Sequence, residues 1–390
     1  PTGMVQNVAT SSDSNSIRLT WNRPPLATLN GKLSHYNIVY NRTLLSGVAF
    51  NLTTATVTAT VGSETDTAFS HDITGLSAGS KFNVSVEPCR GSPSASNLCG
   101  PASVHTIDTA NEQPTSPVQN LGVMGTGQTV RVTWNRPNLE TLRGALTHYK
   151  IVYNRTKLAG IAHHMISNSV DVNVTLATKE DYSHDVANLS SGSEYVFSVE
   201  PCRRSTPSSS LVVVCGPLDS GTIQTGNKDP EGQVQLLALS LSSGGNEVNV
   251  SWEKPPARTL NGILTHFKVE YKRIIQSGVT ETPPTMMVVH ENVTDQTVQR
   301  FSTVVTRLSR GSQYALSVSA CRNISCGPAT IMSINTSDAD PTSPVQNLAI
   351  MAVTHNTATV AWNRPGIATL HGALTHYMVV YNRTILSGET

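Results

Sequence analysis

Short runs in which apolar and polar residues alternate recur along this chain in a fixed order. Ile17-Arg18-Leu19-Thr20-Trp21 is one, and Val130–Trp134, Val248–Trp252 and Thr359–Trp362 repeat it. Alternation of period two is the pattern of a half-buried strand. Asn-Arg-Pro or its like then breaks the strand. A Leu followed two residues later by Gly (Gly31, Gly144, Gly262, Gly372) marks a turn, and a second alternating run begins at Tyr36, Tyr149, Phe267 and Tyr377. The stretch Trp21–Tyr40 therefore returns at Trp134–Tyr153, Trp252–Tyr271 and Trp362–Tyr381, with a period of roughly 110–118 residues. An internal repeat of this kind sets the architecture before any other argument.

The middle of each repeat is rich in Thr and Val, as in Ala55–Val61 and Val170–Leu176, which suits strands. A Leu then stands six residues before an aromatic: Leu76/Phe82, Leu189/Tyr195 and Leu308/Tyr314. Alternation resumes there and runs into a Cys. After a second Cys comes Gly-Pro and a last strand ending in Thr109, Thr225 or Thr336. No helical stripe of useful length is present. About seven short strands per unit predict an all-β fold of tandem sandwiches. The expected domains are 1–112, 113–229, 230–340 and a partial fourth, 341–390, that holds N-terminal strands only. The predicted core is Trp21, Tyr36, Leu76, Phe82, Trp134, Tyr149, Leu189, Tyr195, Trp252, Phe267, Leu308, Tyr314, Trp362 and Tyr377. Polar connectors (TANEQ, TGNKD, TSDAD) followed by Pro suggest beads on short links.

Composition narrows the function. Net charge is +1 and charged residues are 14% of the chain, so no basic field for nucleic acid exists. No run of 18 apolar residues predicts a membrane span. The chain opens on Pro1 and stops within a repeat, which reads as an internal piece of a longer protein, one that could be membrane-anchored elsewhere. The six Cys fall as close pairs, Cys89/Cys99, Cys202/Cys215 and Cys321/Cys326, one per complete repeat. Zinc sites favour tighter doublets in sets of four ligands, so local disulfides and an oxidising compartment fit better.

The Trp on the second strand, G-x-L-x-x-Y-x-V-x-Y on the third, Leu-x₅-Tyr leading into Tyr-x-Val-x-Val, and Gly100-Pro-Ala-Ser103 together resemble fibronectin type III domains. The resemblance covers the whole chain. It implies seven-stranded immunoglobulin-like sandwiches, three complete and one truncated, with sheets A-B-E and C-C′-F-G. It makes Leu-x₅-Tyr a tyrosine corner, in which Phe82 can only pack. The Cys pairs depart from it, being not general in that family; on its strand layout they would staple the F–G hairpin, worth about 2–3 kcal/mol each. The units exceed the usual length between the third strand and the corner Leu, which suggests lengthened C′ and E strands.

Candidate chemistry is sparse. Eleven Asn-x-Ser/Thr sequons are expected to carry N-glycans: Asn41, Asn51, Asn83, Asn154, Asn173, Asn188, Asn249, Asn292, Asn323, Asn335 and Asn382. About six would arise by chance from this composition. Asn83 and Asn249 alternate out of phase with Val84 and Val250, so both should face solvent. Twelve His include one recurrent slot (His35, His148, His266, His376), which supplies one ligand per module rather than a metal cluster. An outward or turn-packing His is expected there. No nucleophile elbow, zinc-protease helix or phosphate loop occurs, so neither catalysis nor a cofactor is expected. In some relatives an Arg-Gly-Asp in the F–G loop engages integrins; here Arg90-Gly91 is followed by Ser92, which lacks the carboxylate. The F–G loops remain the expected contact surface, with Arg90, Arg203, Arg204 and Arg322 giving a mildly positive tip. The resemblance implies an extracellular or cell-surface adhesion or receptor segment with protein ligands. A matrix spacer, or the ectodomain of a receptor enzyme such as a receptor tyrosine phosphatase, is the alternative.

Overall fold

The computed structural model describes residues 1–50, 54–91, 98–163, 167–205 and 212–383. In the first repeat the strands are β1 (Gln6–Ser12), β2 (Ser16–Asn22), β3 (His35–Leu45), β4 (Val48–Ala49), β5 (Ala55–Thr60), β6 (Ala68–Thr74), β7 (Ser80–Arg90), β8 (Leu98–Cys99) and β9 (Ser103–Asp108). One sheet is β1-β2-β6 and the other β5-β3-β7-β9, with β4 and β8 paired to the ends of β3 and β7. All these pairings are antiparallel. The second and third repeats reproduce both sheets. This is the A-B-E and C-C′-F-G arrangement of a fibronectin type III sandwich.

The core forms because alternate residues of both sheets point inward and are apolar. Ile17, Leu19 and Trp21 from β2 meet Tyr36 and Ile38 from β3 and Phe82, Val84 and Val86 from β7. The Trp21 and Tyr36 rings meet edge-on, centroids 5.2 Å apart, and Phe69 of β6 stacks on the Trp at 6.1 Å. The same three-ring cluster is Trp134/Tyr149/Tyr182 and Trp252/Phe267/Phe301. Of the expected core residues, Leu76 is only half-buried, at the edge of its cluster.

Two local features differ from the sequence reading. The residue span expected to lengthen C′ and E lies in C instead. β3 runs for 11 residues and ends in a tight hairpin to β4, whereas β5 and β6 have 6 and 7. The Leu before each turn Gly also closes a one-turn helix, α1 (Leu26–Leu29), repeated at Leu139–Leu142 and Ala257–Leu260. Four residues are too few to show a helical period in sequence.

The chain divides into two compact units: Pro1–Thr156, His164–Leu189 and Glu194–Thr225 in the first, and Lys157–His163, Ser190–Ser193 and Gly226–Thr390 in the second. Within the second unit the fourth repeat has two paired strands, Gln346–Val353 and Ala358–Asn363. The third strand expected at Tyr377–Tyr381 is not formed. Trp362 is half-buried and Tyr377 is 39% exposed, so neither is the sealed core residue expected, although their rings still meet at 5.3 Å. The reason is pairing. In the complete repeats the third strand lies between C′ and F; among the described residues of the fourth repeat neither is present, so there its backbone has no ladder to join.

Candidate functional site

The chemistry-bearing residues collect at the F–G end of each sandwich and, within each unit, at the junction between its repeats. Cys89 and Cys99 face each other across β7 and β8 and are joined, as are Cys202–Cys215 and Cys321–Cys326. Each pair sits on neighbouring antiparallel strands with Cα atoms 4.1 Å apart. Sulfurs do converge with a carboxylate or an imidazole: Glu87 with Cys89 and Cys99, Glu200 with Cys202 and Cys215, and His266 with Cys321 and Cys326. The sulfurs are spent in disulfides, so these groups offer no thiolate to a metal.

Three of the four arginines expected to form a positive tip, Arg90, Arg203 and Arg322, bond back to backbone carbonyls instead. Arg203 is 6% exposed and turns inward. Its Nε donates to Ala145 O at 2.9 Å, Nη1 to Glu112 O at 2.8 Å and Nη2 to Leu142 O at 2.9 Å. Arg322 repeats the set on Ile263, Lys228 and Leu260, and Arg90 donates to Asn30 O. A buried guanidinium satisfies the orphan carbonyls at the end of the one-turn helix and ties the upstream connector to the F strand. Burial lowers the Arg203 pKa from its usual value, but a guanidinium stays charged. The turn glycine makes room for it. At Gly144 (φ +141°) a Cβ would lie 2.7 Å from the Arg203 guanidinium. Arg204 alone of the second pair reaches solvent, bonded to Asp171 at 2.6 Å. Residues 92–97 and 206–211, which hold the F–G tips of the first two repeats and Ser92, lie outside the described residues.

The recurrent His is a packing residue in two of its four copies. His35 and His148 are each 1% exposed, His266 is half-buried and His376 exposed. Each Nδ1 pairs with the hydroxyl before it, on Ser34, Thr147, Thr265 and Thr375, at 2.8–2.9 Å. Burial lowers the pKa of His35, His148 and His266. The corner is explicit in the third repeat, where the Ser309 amide donates to Tyr314 Oη at 2.9 Å. Phe82 is buried at the matching place and contributes apolar surface only.

Within the first unit, the first two repeats are locked together by polar groups. The hairpin residue Ser46 donates through Oγ to Leu139 O at 2.9 Å and accepts from the Gly144 amide at 3.0 Å. Arg42 bonds Ser77 Oγ and Glu140 Oε1, both at 2.9 Å, and Ser77 Oγ donates to Glu140 Oε2 at 2.8 Å. The connector is built in: the Glu112 amide donates to Arg143 O. The extra length of strand C thus serves the junction. In the second unit Ser277 Oγ likewise donates to Ile367 O at 3.1 Å.

Among the sequon asparagines, Asn173, Asn188, Asn249, Asn292, Asn323, Asn335 and Asn382 are exposed; Asn41, Asn83 and Asn154 are half-buried. Asn83 was expected outward; its Oδ1 accepts from Thr106 Oγ1 at 3.0 Å, on the solvent face of the sheet. Asn51 lies outside the described residues. Sequence reasoning missed the third ring of each core, Phe69, Tyr182 and Phe301. Its signal was present: an aromatic seven residues before each corner Leu. Among the described residues, no helix is long and apolar enough to cross a membrane.

Comparison with known proteins agrees with this geometry. The profile of the Fibronectin type III domain matches residues 3–96, 116–214 and 232–334. Receptor-type tyrosine-protein phosphatase F of Danio rerio is 23% identical over 95% of this chain and 18% of its own length. Cell adhesion molecule DSCAM of Gallus gallus is 26% identical over 43% of this chain and 8% of its own. The chain therefore spans less than a fifth of the length of either relative. The crystal structure of chicken CNTN1 FN1-FN3 domains aligns with 87% of this chain and all of its own, at 16% identity and a TM-score of 0.37. With three matched regions over most of its length, the chain belongs to the fibronectin type III family.

Proposed function

We propose that this chain is a non-catalytic, extracellular protein-recognition segment of a cell-surface receptor or adhesion protein. The observation that carries the reading is the set of register-matched disulfides, one per complete repeat, with no free cysteine among the described residues. Such pairs persist in oxidising compartments, and relatives named as an adhesion molecule and a receptor-type phosphatase support a surface setting. The domains run 1–112, 113–229, 230–340 and 341–390, each matched region falling inside one of them. N-glycans occupy the exposed sequon asparagines, with protein ligands meeting the surface left bare.

Similarity along 95% of the chain to a receptor-type phosphatase favours one specific parent, a receptor enzyme whose catalysis lies outside these repeats. The test is binding of the tetramerised, secreted chain to living, unpermeabilised cells. Saturable binding that protease treatment of the cells abolishes supports recognition. No binding across a broad panel of cells contradicts it and leaves a spacer role.

A further inference from the structure

The histidine slot at the start of strand C supplies one imidazole per repeat, but in the third repeat the fold adds a second. Strand Met286–Asn292 pairs with strand His266–Gln276, setting Asn292 opposite His266 and His290 opposite Lys268. His290 therefore lies diagonally across from His266 on the same face of the sheet. Their ring centroids are 4.8 Å apart, with the planes at 66°. The same diagonal slot holds Thr58 in the first repeat and Asp171 in the second. In the second, the Asp171 carboxylate comes within 3.8 Å of His148 Nε2, so a side chain in this slot reaches that nitrogen.

The tautomer of His266 is fixed by the residue before it. Thr265 Oγ1 donates to Cys321 O at 3.3 Å and accepts from the Asn323 amide at 2.9 Å. With its one proton given to Cys321 O, the hydroxyl accepts from His266 Nδ1–H at 2.9 Å. Nε2 of His266 then keeps its lone pair, which is the form that binds a metal, and the hydroxyl takes the outer role that orients ligand histidines. His290 is exposed, and among the described residues its ring has no hydrogen bond or ion pair.

We propose that His266 and His290 together bind a divalent transition-metal ion of the class that favours imidazole, Zn²⁺ or Cu²⁺. Spacing carries the argument. Metal–nitrogen bonds of about 2.0–2.1 Å place two imidazoles at adjacent corners of one ion with ring centroids about 4.5–5.3 Å apart. The observed 4.8 Å lies inside that range. Water completes the coordination, since the sulfurs beside His266 are joined as Cys321–Cys326. Lys268, opposite His290, has its charge offset by Glu270 at 2.7 Å. The bound ion ties strand C to the edge strand C′ of this repeat alone. The site does not rest on the extracellular reading above.

Calorimetric titration of Zn²⁺ into the secreted chain at neutral pH is the experiment, repeated on three variants. The native chain should bind about one ion at micromolar concentration. His290→Thr, which installs the residue of the first repeat, should weaken that binding about tenfold or more. His355→Thr, at an exposed histidine of the fourth repeat, should leave it unchanged. Position 290 is exposed on an edge strand, so the metal-free melting temperature of His290→Thr should match the native value. Electron paramagnetic resonance of the Cu²⁺-loaded chain gives a second readout: two coordinating nitrogens in the native chain, fewer in His290→Thr. No binding below millimolar Zn²⁺ overturns the proposal. Binding undiminished in His290→Thr overturns it as well and puts the ion on other histidines. Asn292, opposite His266, is a sequon residue; binding that appears only in Asn292→Gln would mean a glycan covers the face in the secreted chain, which also overturns it.

Discussion

Arg203 donates from Nη2 to the carbonyl of Leu142 at 2.9 Å, across 61 residues, from the F strand to the last turn of a one-turn helix. With its bonds to Ala145 and Glu112 it makes one buried side chain responsible for the B–C loop and the connector together. Arg203→Ala leaves three carbonyls without donors and should cost on the order of 3 kcal/mol. Arg204→Ala removes a half-exposed pair and should cost under about 1 kcal/mol. Chemical denaturation of both variants checks the difference; equal costs would contradict the assignment.

Tyr314→Phe deletes the hydroxyl that accepts from the Ser309 amide while leaving the ring in place. The expected loss is about 1–2 kcal/mol in the third repeat. Hydrogen exchange should show it as faster exchange of the Ser309 amide in particular.

The junction within the first unit is close enough to be broken by one methyl group. A Cβ on Gly79 would lie 2.2 Å from Gly144 Cα, and its φ of +65° disfavours any side chain. Gly79→Ala should therefore separate the melting of the first two repeats in calorimetry, while Glu140→Gln, which keeps the shape, should do so less. A single unchanged transition in both variants would show that the lock is not energetically coupled.

The buried histidines give acid sensitivity of defined sign. Burial holds His35, His148 and His266 below the ordinary histidine value of about 6.5 when folded. The unfolded chain thus takes up protons first as pH falls below about 6.5, so stability is full above that value and declines beneath it. The melting temperature at pH 5.5 should be lower than at pH 7.5, in a window above most carboxylate titration. His35→Gln should flatten that slope. A slope that steepens or is unchanged would contradict the burial argument.

The sandwich was legible in the sequence because its determinants are periodic. Trp21, Tyr36 and Phe82 recur at fixed offsets, and alternation of period two states which face is buried. The arginines were misread because sequence shows a charge beside a loop, not its direction. Only the fold reveals that the carbonyls of Leu142 and Leu260 lie within reach. The extra residues after Tyr40 were visible as length, but their use as a junction hairpin depends on Leu139 and Gly144 of the following repeat. The unpaired third strand near Tyr377 shows the opposite limit. A strand pattern makes a strand only where neighbours supply the hydrogen bonds.

The central claim is that this is an extracellular, disulfide-stapled array. Its most direct test is a non-reducing peptide map, with glycan mapping, of the chain isolated from cells that naturally make it. The account predicts Cys89–Cys99, Cys202–Cys215 and Cys321–Cys326 linked, and glycans on exposed asparagines such as Asn173, Asn249 and Asn292. Free thiols and unmodified asparagines throughout would contradict it.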